Sequence, residues 1–92
     1  MKVKVMLFAP FREIFAAEEK EIELEEKTDI RGLMDILCDT PPRREQLFEP
    51  SGGLRPEVAV LQNGRSINQR CGLETGLADG DEIAIIPPVS GG

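Results

Sequence analysis

Histidine is absent from this 92-residue sequence, as are tryptophan and tyrosine. Without histidine, the chain lacks the side chain that most often serves as a general base near neutral pH and as a metal ligand. Four phenylalanines are the only aromatics, so burial must come mainly from Val, Ile and Leu. Cysteine is nearly absent. Cys38 and Cys71 have no further Cys or any His at metal-ligand spacing, and two thiols do not make a disulfide framework. Both are expected to be reduced, Cys38 in the core and Cys71 in a turn-rich segment without an assigned role. No apolar run approaches the length of a membrane span. Met1–Pro10 alternates Lys with apolar residues, unlike the continuous apolar stretch of a signal peptide. A soluble, cytoplasmic protein with no membrane partner is expected.

Clustered positive charge is also missing. Seventeen acids against eleven bases give a net charge of −6. Only Arg43 and Arg44 sit together, which argues against a nucleic-acid ligand, because phosphate contacts need grouped Lys and Arg. An acidic surface suits steering towards a basic protein partner. The length allows one domain and no second core, so a carrier, binding module or subunit is expected in preference to a self-contained enzyme. The Glu18–Glu26 carboxylates read as a solvated face without metal-ligand spacing. Gly52-Gly53 lacks the Lys and the strand–loop–helix context of a phosphate-binding loop.

What is present is a clear alternation of periods. Lys2–Phe8 alternates with period two, placing Val3, Val5 and Leu7 on one face and Lys2, Lys4, Met6 and Phe8 on the other. A large apolar Phe8 on that outer face is unusual. Phe11–Ala17 has the spacing of a short helical turn. Lys20–Glu26 alternates again, and its short connection predicts antiparallel pairing with the first strand. Thr28-Asp29 supplies a helix N-cap, followed by Ile30, Leu33, Met34, Leu37 and Cys38 at i, i+3, i+4, i+7 and i+8. Pro41-Pro42 is expected to end this main helix, with another turn over Arg43–Phe48. Glu57–Gln62 predicts a strand, Asn63-Gly64 a hairpin turn and Arg65–Asn68 the return strand. Asp81–Ile86 is apolar on both faces after its acidic start, which predicts a central strand beside the first. The sum is an α+β arrangement, a mixed sheet with one main helix packed across it, occupying residues 1–86, followed by a tail over 87–92.

The tail carries the chemistry. Pro87 and Pro88 lack backbone N–H groups, so a sheet ladder cannot continue through them. Six extended residues reach roughly 20 Å, enough to enter another protein's active site. Gly91 and Gly92 add an unbranched end with free backbone choice. A carboxylate is inert to nucleophiles, but attack by its oxygen on the α-phosphate of ATP yields a reactive acyl-adenylate. With no Cβ beside it, the Gly92 carbonyl is open to both activation and later attack. A glycine pair at a chain end is also common where termini simply lack order; its position behind an apolar strand and a diproline favours the functional reading.

Leu77–Gly92 (LADGDEIAIIPPVSGG) resembles the C-terminal signature of the molybdopterin synthase small subunit. Phe8-Ala9-Pro10-Phe11-Arg12-Glu13-Ile14 resembles that family's Phe-Ala-x-x-Arg-Glu-Leu opening. The resemblance implies a β-grasp, ubiquitin-like fold and a sulfur-carrier role. A ubiquitin-activating-type enzyme would use ATP to adenylate Gly92, sulfur would replace the adenylate to give a thiocarboxylate, and no cofactor or metal would be bound by the chain itself. The tail, with Pro87, Pro88, Val89 and Ser90 contacting the partner, would enter the large subunit of a heterotetramer. By the same likeness Phe8 and Ile86 belong to a docking patch, and Arg12 makes polar contacts near it. Asp39–Glu57 is longer than in the shortest members, and Gly53–Val58 resembles a longer branch serving thiazole, cysteine and tRNA thiolation routes. A carrier for such a pathway, a ubiquitin-like modifier conjugated through Gly92 and an interaction domain with an idle tail stay open as alternatives.

Overall fold

Alternation of Val3, Val5 and Leu7 with Lys2, Lys4 and Met6 produces the first strand, β1 (Lys2–Leu7), whose odd-numbered side chains are buried. The structure, a computed structural model, describes residues 1–87. The expectations placed on Pro88, Val89, Ser90, Gly91 and Gly92 lie outside the described residues. After β1 come α1 (Phe11–Ile14), β2 (Glu19–Glu23), α2 (Ile30–Leu37), α3 (Pro41–Leu47), β3 (Ala59–Gln62), β4 (Arg65–Ser66) and β5 (Glu82–Ile86). Two single-turn 3-10 helices, Ile67–Gln69 and Gly72–Glu74, lie between β4 and β5.

The sheet runs in the order β2-β1-β5-β3-β4, with β5 in the middle as its apolar composition predicts. β1 pairs antiparallel with β2 and parallel with β5, while β3 pairs antiparallel with both β4 and β5. This is the mixed β-grasp sheet. Its inner face carries Val3, Val5, Leu7, Val60, Ile83 and Ile85, and these join the apolar stripe of α2 in one core. Ile30, Leu33 and Met34 are fully buried there; burial of each such side chain stabilises the fold by about 1.5–3 kcal/mol. Asp29 caps α2, its Oδ1 accepting from the Gly32 amide at 2.9 Å.

Several boundaries differ from the sequence reading. Pro41 and Pro42 do not simply end a helix; they open α3, with Thr40 accepting from the Arg43 amide at 3.4 Å. Proline fits the first turn of a helix because its missing N–H would have no partner there. α3 drives Leu47 into the core, so the helical layer is larger than the one expected helix and a turn. The return strand after Asn63-Gly64 spans two residues, because Ile67 turns inward and is buried at the start of a 3-10 helix. The turn itself is as predicted, with Asn63 at φ 51° and Gly64 at φ 87°, the double positive φ of a type I′ hairpin. β1 ends at Leu7, one residue before Phe8.

Where β5 begins, Asp81 organises the adjoining loops. Its carboxylate accepts from Gln62 Nε2 at 2.9 Å, Asn63 Nδ2 at 2.9 Å and the Ala78 amide at 2.8 Å. Asn63 Oδ1 in turn accepts from the Glu82 amide at 2.9 Å. Burial pulls the Asp81 carboxyl upward, but the hydrogen bonds from Asn63, Ala78 and Gln62, with the Arg70 charge, hold it below the ordinary carboxylate value. A carboxyl depressed in the folded state stabilises the fold above its unfolded pKa, and that contribution is lost as pH falls through the folded value. Asp81→Asn is therefore expected to cost about 2 kcal/mol at pH 7, with the gap to the parent closing in acid as pH falls through the depressed folded value of Asp81. Urea unfolding of both proteins across that range checks the sign. A gap that stays constant with pH would contradict this account.

Candidate docking face and tail root

Side chains in register across a sheet share a face, so the pairings define the outer surface row by row. One row runs Glu21, Lys4 and Glu82. The next runs Glu19, Met6, Ala84, Leu61 and Ser66. In the last, Ile86 lies beside Ala59. Because Leu7 pairs in parallel with Ile85, the residues that follow, Phe8 and Ile86, reach the same edge. Charge therefore gives way to apolar side chains towards the edge where β1 and β5 both end. Phe8 stands 46% exposed there, and Ile86 and Pro87 are half-buried. An exposed large apolar residue next to other apolar atoms marks an interaction surface more than an isolated one does.

The register thus puts Phe8, Ile86 and Pro87 at one edge of the sheet. Arg12, on α1, joins them at one side: it lines an open notch with Met6, Leu7, Phe8, Glu18 and Glu19. Its Nη1 lies 2.8 Å from Glu18 Oε1, an ion pair between two exposed groups. At the root of the tail, Pro87 borders a second open groove of about 610 Å³ with Pro10, Phe11 and Val58 on its walls. Sequence reasoning missed Ala59, Leu61 and Ala84 as members of the face. The signal was available for Ala84, since Asp81–Ile86 is apolar on both faces while only one of them can meet the helices.

Other candidates separate from this surface. Ile36, 50% exposed, stands on α2 rather than on the sheet. Cys38 is buried, and its thiol is pushed up to about 11 by that burial, partly offset by the nearby Arg44 charge. It is a core side chain, not a nucleophile. Cys71 is exposed. No group of His, Cys, Asp or Glu among the described residues could hold a metal ion, and no helix among them is long and apolar enough to cross a membrane.

Comparison with known proteins agrees with the fold. The chain matches the ThiS family over residues 5–92. It is 36% identical to the molybdopterin synthase sulfur carrier subunit of Mycobacterium tuberculosis, covering 100% of this chain and 99% of that one. The solution structure of small archaeal modifier protein 1 from Methanosarcina acetivorans superimposes with a TM-score of 0.81 at 36% identity, over 99% of this chain and 96% of that one. A chain in the complex of subunits 1 and 2 of the molybdopterin-converting factor from Helicobacter pylori gives a TM-score of 0.66 at 30% identity, with each chain covered completely.

The division between core and face predicts how substitutions divide. Phe8→Ser should change unfolding free energy by no more than about 0.5 kcal/mol. Phe11→Ala, which empties a site in the core, should lose about 3–5 kcal/mol. Denaturant unfolding of the two variants distinguishes them, and comparable losses would show that Phe8 is a packing residue.

Proposed function

The chain belongs to the ThiS family of sulfur carriers, and on that premise we propose that it carries sulfur on the carboxyl group of Gly92 as the small subunit of a molybdopterin synthase. The observation that supports this most is the continuity of β5 with the tail. The central strand ends at Ile86 within the apolar face and hands directly to Pro87-Pro88-Val89-Ser90-Gly91-Gly92, and the family match runs through to residue 92.

The division of labour follows from that arrangement. An adenylating partner supplies ATP and the catalytic side chains; this chain supplies a docking face and a reactive end. Contacts at Phe8, Ile86 and their neighbours fix the domain on the partner, which turns the meeting of Gly92 and ATP into an effectively intramolecular event. Residues 88–92 span at most roughly 17 Å from Pro87, so the face sets the reach of the carboxylate. A Gly92 oxygen attacks the α-phosphate and pyrophosphate leaves; the persulfide of a sulfurtransferase then displaces AMP to give an acyl disulfide, and a thiol reductant cleaves its S–S bond, forming a new disulfide and leaving the thiocarboxylate. The loaded tail enters the large subunit of a heterotetramer, where the sulfur passes to the pterin precursor. The chain binds no cofactor of its own and is not an enzyme alone. The relative named as a molybdopterin synthase sulfur carrier subunit and the two-subunit complex support the choice of acceptor. A second reading, conjugation of Gly92 to lysines of target proteins, is favoured by the likeness to a small archaeal modifier protein.

Intact-mass measurement of the chain produced together with its adenylating enzyme and a sulfur source is the test. The oxygen-to-sulfur increment should appear at the C-terminus and vanish when Gly92 is deleted. Higher-mass adducts that survive reduction, without the increment, would favour the modifier instead. An unaltered mass in the presence of an active adenylating enzyme would remove the carrier reading.

A further inference from the structure

The notch beside Phe8 has a charge pattern that neither the fold nor the tail chemistry requires. It is an open recess of about 370 Å³ lined by Met6, Leu7, Phe8, Arg12, Glu18 and Glu19. Its one cation, Arg12, is already engaged by Glu18 at 2.8 Å. Glu19 makes no ion pair among the described residues. It is the cross-strand partner of Met6, so its carboxylate rises from the same outer face as the apolar row. Phe8 offers an exposed ring nearby. The adjoining row adds Glu21 and Glu82 around Lys4, which leaves that row with a further unbalanced negative charge.

Such a recess fits one kind of side chain well. A lysine or arginine has a methylene stem that packs on apolar surface while its charged head seeks a carboxylate. A cation can also gain from lying over an aromatic face. We propose that the notch receives a lysine or arginine of the adenylating partner, with its stem against Met6 and Phe8 and its charge on Glu19, so that Glu19 is a specificity-determining residue for loading. The proposal rests on the carrier reading and deepens it by naming the chemistry of one contact. Glu18 has a different part: by engaging Arg12, it keeps that guanidinium from neutralising Glu19 and leaves the recess anionic.

Pyrophosphate exchange catalysed by the adenylating enzyme, with the full chain as the varied substrate, reads the contact directly. Glu19→Gln should raise KM by about 3–10-fold at low salt with kcat unchanged, as expected for a contact that serves docking rather than chemistry. Glu19→Lys should raise it further. Both effects should shrink towards the parent value near about 0.5 M salt, because exposed charges are screened. Glu49→Gln, on the α3 side of the molecule, serves as the matched loss of one carboxylate and should leave KM unchanged. If both Glu19 variants keep KM within about twofold of the parent while the parent is adenylated, the notch proposal is overturned and the carrier reading stands. If the parent is not adenylated at all, the carrier reading falls and this contact falls with it.

Discussion

At the centre of the sheet, Lys4, Val5, Met6 and Leu7 run parallel to Glu82, Ile83, Ala84 and Ile85. Two strands joined by a tight turn cannot pair this way; a parallel pair needs a long crossover. Here the crossover is nearly the whole chain, and it lays α2 and α3 over one face of the sheet. The parallel sense has a second consequence. Both strands finish at the same edge, so Phe8 and Ile86 are neighbours and the tail leaves from beside them. Antiparallel pairing would have sent the tail to the opposite end of the molecule, away from Phe8.

Full burial of one side against the helices holds this ladder in register. Ile83 and Ile85 sit in the core, while Ala84, itself buried among its strand neighbours, and the half-buried Ile86 face the other side of the sheet. A slip of one residue would exchange the two sets, which would put the isoleucine pair of the core into water. Asp81 fixes the start of the strand by gathering Gln62, Asn63 and the Ala78 amide. The hairpin Asn63-Gly64 is thereby tied to the strand that carries the tail.

Most of this architecture was legible in the sequence, because the periods of two and 3.6 mark which side chains must be hidden. The first strand, the stripe from Ile30 to Cys38, the hairpin turn and the central place of Asp81–Ile86 all follow from that pattern. The diproline at Pro41 is ambiguous in the sequence because proline has opposite meanings at the two ends of a helix, and only the Thr40 cap and the inward Leu47 decide between them. Arg65–Asn68 read as a strand, since local alternation does not reveal that Ile67 will turn into the core. For the candidate docking face, Phe8 and Ile86 follow from family likeness, and the parallel register of Leu7 with Ile85 explains why both lie at one edge. Ala59 and Leu61 could not be placed from local pattern alone, because their membership depends on the register of β3 with β5. The Arg12–Glu18 pair likewise links α1 to the segment before β2, a proximity created by the chain's turn.

Under the proposed function the domain is a ruler: the apolar face would dock, and the short segment after Ile86 would set how far the carboxylate reaches. A variant with the Pro87-Pro88 pair duplicated measures this most directly, with affinity for the adenylating enzyme and the rate of adenylation followed on the same sample. The account predicts unchanged affinity and a severe loss of adenylation, because the end group overshoots its target while the face still docks. Adenylation at the parent rate with the longer tail would contradict it.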